Sequence, residues 1–229
     1  MQTFENQIDF FKEFVFNNQV DKLDNISRFS GEKTTKTESV SQHSFWVTFF
    51  SSLLLDEMGF TDYKLRYLTL DYATFHDFDE TITGDLLHPF KHNTENGMAI
   101  RKTVEHFVKY SVEKMKDNVL KSKLIKFDAL KRDDDFIVAK HLVKICDWLS
   151  CIKFCYDEVM MGNKRAFAGL LYYSFDRLLD YIILTYPVFI EYEKEQAKKE
   201  LESGVIDKID LQKLKNLKNQ LEYLLTVRF

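Results

Sequence analysis

Apolar residues recur along this chain at spacings of three and four, which marks single faces of successive helices. Phe4, Ile8, Phe11 and Val15 form the first such face, and that segment ends near Asn17 and Asn18. Residues 24–39 are polar and contain Gly31 and three threonines, and they read as a loop. Helical spacing returns in residues 40–58 with Trp46, Val47, Phe50, Leu54 and Leu55, and Gly59 supplies a stop. Asp62 opens a third helix in which Leu65, Leu68 and Tyr72 face the core and His76 follows Tyr72 by one turn.

Thr83, Gly84 and Pro89 mark a short irregular crossing, because Pro89 has no backbone N–H to donate. A fourth helix is expected at about 95–115, followed by a lysine-rich connector. The acidic run Asp133, Asp134 and Asp135 reads as the solvated first turn of the next helix, where negative charge suits the helix dipole. That helix, the longest, is expected at about 135–160, with Val138, Leu142, Ile145 and Leu149 on its main apolar face and Gly162 as its break. A further apolar segment covers 167–186 and stops before Pro187. Residues 190–201 are rich in Glu and Lys, Gly204 punctuates them, and Leu211, Leu214, Leu217, Leu221 and Leu224 form a last amphipathic helix. The expected organisation is a main helical domain at 1–186 and a helical extension at 187–229. The default use of that extension is packing back on the domain, and the competing use is a homodimer interface, since its apolar stripe is narrow and its flanks are charged.

Composition strengthens the all-α expectation. Seven Gly and two Pro in 229 residues disfavour a turn-rich barrel or sandwich, and the length suits one domain with an elaborated edge. With 21 Phe and 11 Tyr, the core is expected to be filled by Phe. The 32 basic residues are outnumbered by 36 acidic ones, so no overall cationic surface draws the chain to nucleic acid, although a local phosphate pocket stays open. No run of eighteen apolar residues occurs, so no membrane helix is expected. Cys146, Cys151 and Cys155 crowd into one helical stretch. Their odd number disfavours a disulfide framework, and their spacing matches no compact zinc knuckle. The first residues carry acidic groups and lack a small-residue cleavage site, which together with the cysteines points to the cytoplasm.

Four side chains stand apart from this packing pattern: His43, the adjacent pair His76 and Asp77, and Asp147. Each offers a nitrogen or oxygen ligand to a divalent metal, and together they make a His2Asp2 set. At a helix end the backbone can turn so that two neighbouring side chains converge on one ion. Asp147 lies between Cys146 and Trp148 in an apolar run, where a buried carboxylate without a cation is costly. Two readings stand on these grounds alone. Either the set binds a metal, or Asp147 points to solvent and the histidines are hydrogen-bonded core residues.

The order His43, His76-Asp77, Asp147 resembles the H…HD…D signature of the HD-domain phosphohydrolases. Three neighbourhoods sharpen the likeness to the YfbR-like 5'-deoxynucleotidase branch: Glu38 to Ser44 around the first histidine, His76 to Glu80 followed by Thr83, Gly84, Asp85 and Leu86, and Lys144 to Ser150 around the last aspartate. The resemblance covers roughly residues 4–185 and implies an all-α HD-domain helical bundle with the C-terminal helical tail outside it.

Carried onto this chain, the resemblance implies one divalent metal ion, cobalt, manganese or another transition metal, held by His43, His76, Asp77 and Asp147. It makes Glu80 the catalytic acid or base that orients water, and Arg28 the phosphate-binding and catalytic cation, whose planar donor fork suits a phosphate. Phe29 stands where the branch has tryptophan in the wall that disfavours a 2'-hydroxyl, and Asp85 matches a residue near the sugar. Gln42 stands where an acidic residue is common. His88 and Lys91 are further substrate-binding candidates, His88 being new relative to the branch. The implied activity is metal-dependent hydrolysis of deoxynucleoside 5'-monophosphates, with a small-molecule deoxynucleotide as partner. The rival readings are a deoxynucleoside triphosphate triphosphohydrolase, for which Lys109, Lys140, Lys144 and Arg165 are extra cations, and a catalytically silent scaffold that binds a nucleotide or protein.

Overall fold

Local sequence signals set most of the helix ends in the computed structural model, which describes residue 12 and residues 20–85, 97–116, 119–130, 133–203 and 209–226. A 3-10 turn covers Val20–Asn25, and the α-helices that follow are α1 (Val40–Glu57), α2 (Tyr63–Phe75), α3 (Glu80–Thr83), α4 (Gly97–Lys114), α5 (Val119–Ala129), α6 (Asp134–Met160), α7 (Lys164–Ser203) and α8 (Gln212–Thr226). Among the described residues no strand forms, and an isolated antiparallel bridge joins Ser27 and Ser39. The all-α expectation is borne out.

The stops work as their chemistry dictates. Gly59 and Gly162 adopt φ of 69° and 97°, the left-handed backbone that ends α1 and α6. Asp62 caps α2 by accepting a hydrogen bond from Leu65 N at 2.6 Å, and Asp133 caps α6 by accepting one from Phe136 N at 3.1 Å. Lys64 on α2 pairs with Asp133 and Asp135, so the acidic run both suits the α6 dipole and ties α6 to α2.

The chain divides into two compact units. The first comprises Met1–Gly31, Thr37–Gln42 and Asp77–Ala129, the second Glu32–Lys36, His43–His76 and Leu130–Phe229. Within the first, α3 packs against the 3-10 turn and α4, and α4 against α5. Within the second, α6 packs against both α2 and α7, and α8 packs on α7. Val47, Ala73, Val143 and Cys146 form a buried cluster there, with Phe50, Leu54 and Tyr72 against it.

Two elements differ from the sequence expectation. The lysine-rich connector contains helix α5, which buries Leu120 and Phe127, two turns apart on one face, while Lys126 stays exposed. Pro187 does not end a helix; α7 runs through it. Buried Leu171, Phe175, Leu178, Ile182, Thr185, Phe189 and Tyr192 repeat at four and three residues straight across the proline. Burial of that continuous stripe outweighs the roughly 3 kcal/mol that an interior proline costs. In and just before the last helix Leu211, Leu214 and Leu221 are buried, and Asp210 N donates to Met58 O at 2.7 Å. The amphipathic segment at Phe4–Val15, apart from Lys12, and Pro89 lie outside the described residues.

Candidate metal centre

His43 enters the site from the first turn of α1. That turn is held by a reciprocal capping box, in which Ser39 N donates to Gln42 Oε1 at 3.0 Å and Gln42 N donates to Ser39 Oγ at 3.3 Å. Gln42, where an acidic residue was the common pattern, thus serves the helix end. The His43 ring is fully buried, with Nδ1 3.0 Å from Ser150 Oγ. Its Nε2 lies 3.1 Å from Asp147 Oδ1 and 3.4 Å from His76 Nε2.

His76 caps the C-terminal end of α2. Its Nδ1 is 2.7 Å from Ala73 O, and a carbonyl oxygen only accepts, so Nδ1 carries the proton and Nε2 keeps its lone pair. Asp77 is the next residue, and ligand atoms of His43, His76 and Asp77 all lie within 4.8 Å of one another. Asp147 joins through His43. Its side chain is 17% exposed, and Lys144 on the preceding turn pairs with its other oxygen, Oδ2. The expected risk of a buried, uncompensated carboxylate is therefore met by a lysine and by incomplete burial.

The donor set fits a divalent cation. The ring nitrogens Nε2 of His43 and His76 are 3.4 Å apart, close enough for both to reach one ion. Both Nδ1 atoms already have partners, the outer-shell arrangement that orients metal-bound imidazoles. Neighbouring groups are held out of proton chemistry. Burial pushes the Cys146 thiol up to about 12, and burial followed by the negative charge of Asp147 raises the Tyr181 hydroxyl to about 12.

Arg28 and Phe29 sit beside the Ser27–Ser39 bridge. Arg28 N donates to Glu38 O at 2.9 Å, and its Nη1 makes a 3.0 Å ion pair with Glu38 Oε2. The guanidinium lies 5.2 Å from the centroid of the Phe29 ring, and Phe29 has φ of 56°. Glu80 opens α3 and is 7% exposed; its N donates to Asp77 O at 3.0 Å, one turn back. Asp85 is half-buried after Gly84, whose φ is 69°. His88 and Lys91 lie outside the described residues.

Three partners escaped the reading of the sequence. Ser150 was legible, since it lies three residues after Asp147 on the same helix face. Glu38 showed no signal beyond its place near His43. Glu158 follows Asp157 in the run Phe154-Cys155-Tyr156-Asp157-Glu158-Val159, and as the second of two adjacent carboxylates it gave no sign of burial. It is fully buried and accepts from Thr35 N at 2.8 Å, Thr35 Oγ1 at 2.5 Å, Lys36 N at 3.0 Å and Asn163 Nδ2 at 2.7 Å. Burial alone raises its pKa, but the hydrogen bonds from Thr35, Asn163 and Lys36 outweigh burial and hold the carboxyl at about 2.

Residues 15–195 match a family model described as 5'-deoxynucleotidase YfbR-like. A 5'-deoxynucleotidase yfbR from Photorhabdus temperata is 25% identical over 148 residues, 63% of this chain and 73% of that protein. A 5'-deoxynucleotidase from Pectobacterium atrosepticum is 24% identical over 146 residues, 62% of this chain and 71% of that protein. Among solved structures, an HD-domain phosphohydrolase from Listeria innocua superposes with a TM-score of 0.60 at 18% identity, covering 91% of this chain and 97% of that one. This last likeness is one of fold.

Proposed function

The chain belongs to the YfbR-like 5'-deoxynucleotidase family, and from that membership we propose that it hydrolyses deoxynucleoside 5'-monophosphates to deoxynucleoside and phosphate, using one divalent transition-metal ion. The observation that carries the proposal is the convergence of His43 Nε2 with Asp147 Oδ1 and His76 Nε2, with Asp77 alongside.

In this reading His43, His76, Asp77 and Asp147 hold the ion. When bound, it supplies Lewis acidity, lowering the pKa of water and offsetting charge on the phosphate. Glu80 orients the attacking water and takes its proton. Arg28 offers its donor fork to the phosphate oxygens, with Glu38 fixing the guanidinium plane. Phe29 forms the sugar-side wall and Asp85 accepts from the 3'-hydroxyl. In chemical terms, the water attacks phosphorus, the bond to the 5'-oxygen breaks, and that oxygen leaves with a proton as the deoxynucleoside alcohol. Among the described residues no helix is long and apolar enough to cross a membrane. The three free cysteines suit a reducing, cytoplasmic setting.

The deciding experiment incubates the protein with deoxy- and ribonucleoside mono-, di- and triphosphates under several divalent metals, reading phosphate, pyrophosphate and tripolyphosphate separately. Free phosphate from deoxynucleoside monophosphates is the expected result. Tripolyphosphate from triphosphates alone transfers the chain to the triphosphohydrolase reading, and no product from any substrate leaves a silent scaffold.

A further inference from the structure

Lys144 stands three residues before Asp147 on α6, so both side chains rise from one face of the helix. The two carboxylate oxygens of Asp147 have different partners: Oδ1 faces His43 Nε2 at 3.1 Å, and Oδ2 holds the ammonium of Lys144. The lysine side chain is 46% exposed, and its ammonium lies 5.3 Å from the centroid of the Trp148 ring. A cation–π contact of that kind steadies the charge while leaving it open to solvent. We propose that Lys144 is a phosphate-binding residue, the cation with which α6 receives the substrate phosphate beside the metal centre; this rests on the nucleotidase reading above.

Electrostatics gives the reason. Asp77 and Asp147 together offset the charge of a divalent ion, so a phosphate dianion reaching that centre needs further positive charge at its edge. Lys144 places one there, tethered through a carboxylate of the donor set. Once Asp147 shares its negative charge with a divalent cation, its hold on the ammonium weakens. The ammonium has three donors and a flexible stem, so it turns at least one N–H to a phosphate oxygen without leaving α6. A lysine that only neutralised Asp147 would behave differently: its loss would alter metal retention and leave phosphate affinity alone.

Lys144→Met keeps the unbranched stem and removes the charge, and Lys144→Arg keeps the charge. Metal per chain is measured first, by plasma mass spectrometry, for wild type and both variants. Inorganic phosphate is then titrated by calorimetry into protein loaded with Co2+ or Mn2+, and kcat and KM are determined on a deoxynucleoside monophosphate. In Lys144→Met the expected result is retained metal, phosphate affinity weakened about tenfold or more, and a KM raised by a similar factor. Lys144→Arg stays close to wild type. Unchanged phosphate affinity in Lys144→Met overturns the assignment, as does loss of metal from that variant, which marks a purely supporting role. Wild-type protein that releases phosphate from no monophosphate overturns the nucleotidase reading instead, and the phosphate titration, which needs no turnover, still decides for or against Lys144.

Discussion

His43 Nε2 stands 3.1 Å from Asp147 Oδ1, a buried imidazole from the first turn of α1 meeting a carboxylate midway along α6. Neither helix carries a complete binding site. Their meeting joins the histidine cluster to a long helix that presents a lysine, a carboxylate and a serine at positions 144, 147 and 150.

Asp147→Asn keeps the volume of the side chain and removes its charge. Turnover is expected to fall about a thousandfold, roughly 4 kcal/mol of lost transition-state stabilisation. Metal content after dialysis is expected to fall with it. Full activity in a variant stripped of metal would sink the metal-dependent reading.

Ser150→Ala removes the group 3.0 Å from His43 Nδ1. Partners of this kind tune ligands, so metal affinity is expected to weaken about 10- to 100-fold while the helical circular dichroism stays unchanged. Competition against a chelator of known affinity measures it. A variant that holds metal as tightly as wild type would show that Ser150 does not orient the ring.

Glu80→Gln separates water activation from metal binding. Metal per chain is expected to stay constant while kcat drops by about 10²–10⁴-fold, the range for loss of a general acid or base. Equal kcat in the two proteins would remove Glu80 from the chemistry.

Glu158 makes the fold sensitive to acid. Its folded pKa is about 2, against an ordinary 4.5. A carboxyl depressed in this way contributes stability that is fully present above about 4.5 and disappears as the pH falls towards 2, on the order of 3 kcal/mol in all. Urea unfolding of wild type and Glu158→Gln is expected to show a wide stability gap at pH 7 that narrows towards pH 3. A gap of constant size across that range would mean that the charge of Glu158 contributes nothing.

Much of the fold was legible because the signals were local. Asp62 and Asp133 announced helix starts that a side-chain oxygen beside free backbone N–H groups makes favourable, and Gly59 and Gly162 announced stops. Where local chemistry and tertiary burial disagreed, burial won. Leu120 and Phe127 turned a lysine-rich connector into α5, and the stripe from Leu171 to Tyr192 carried α7 through Pro187. A single chain read in order cannot weigh such terms, because their size depends on which surface each helix meets.

The same division runs through the site. Sequence by itself determined which residues have metal-ligating chemistry, in what order they come, and that His76 and Asp77 sit where α2 gives way to a turn, since ligand type and helix termination are properties of short segments. Only the tertiary structure decided that His76 Nδ1 is protonated against Ala73 O, that Ser150 braces His43, that Asp147 divides its oxygens between His43 and Lys144, and that Glu158 pins Thr35 and Lys36. A proton's position and a carboxylate's charge depend on partners a few ångströms away in space, and for His43, Asp147 and Glu158 those partners lie more than a hundred residues away along the chain or on the far side of a helical turn.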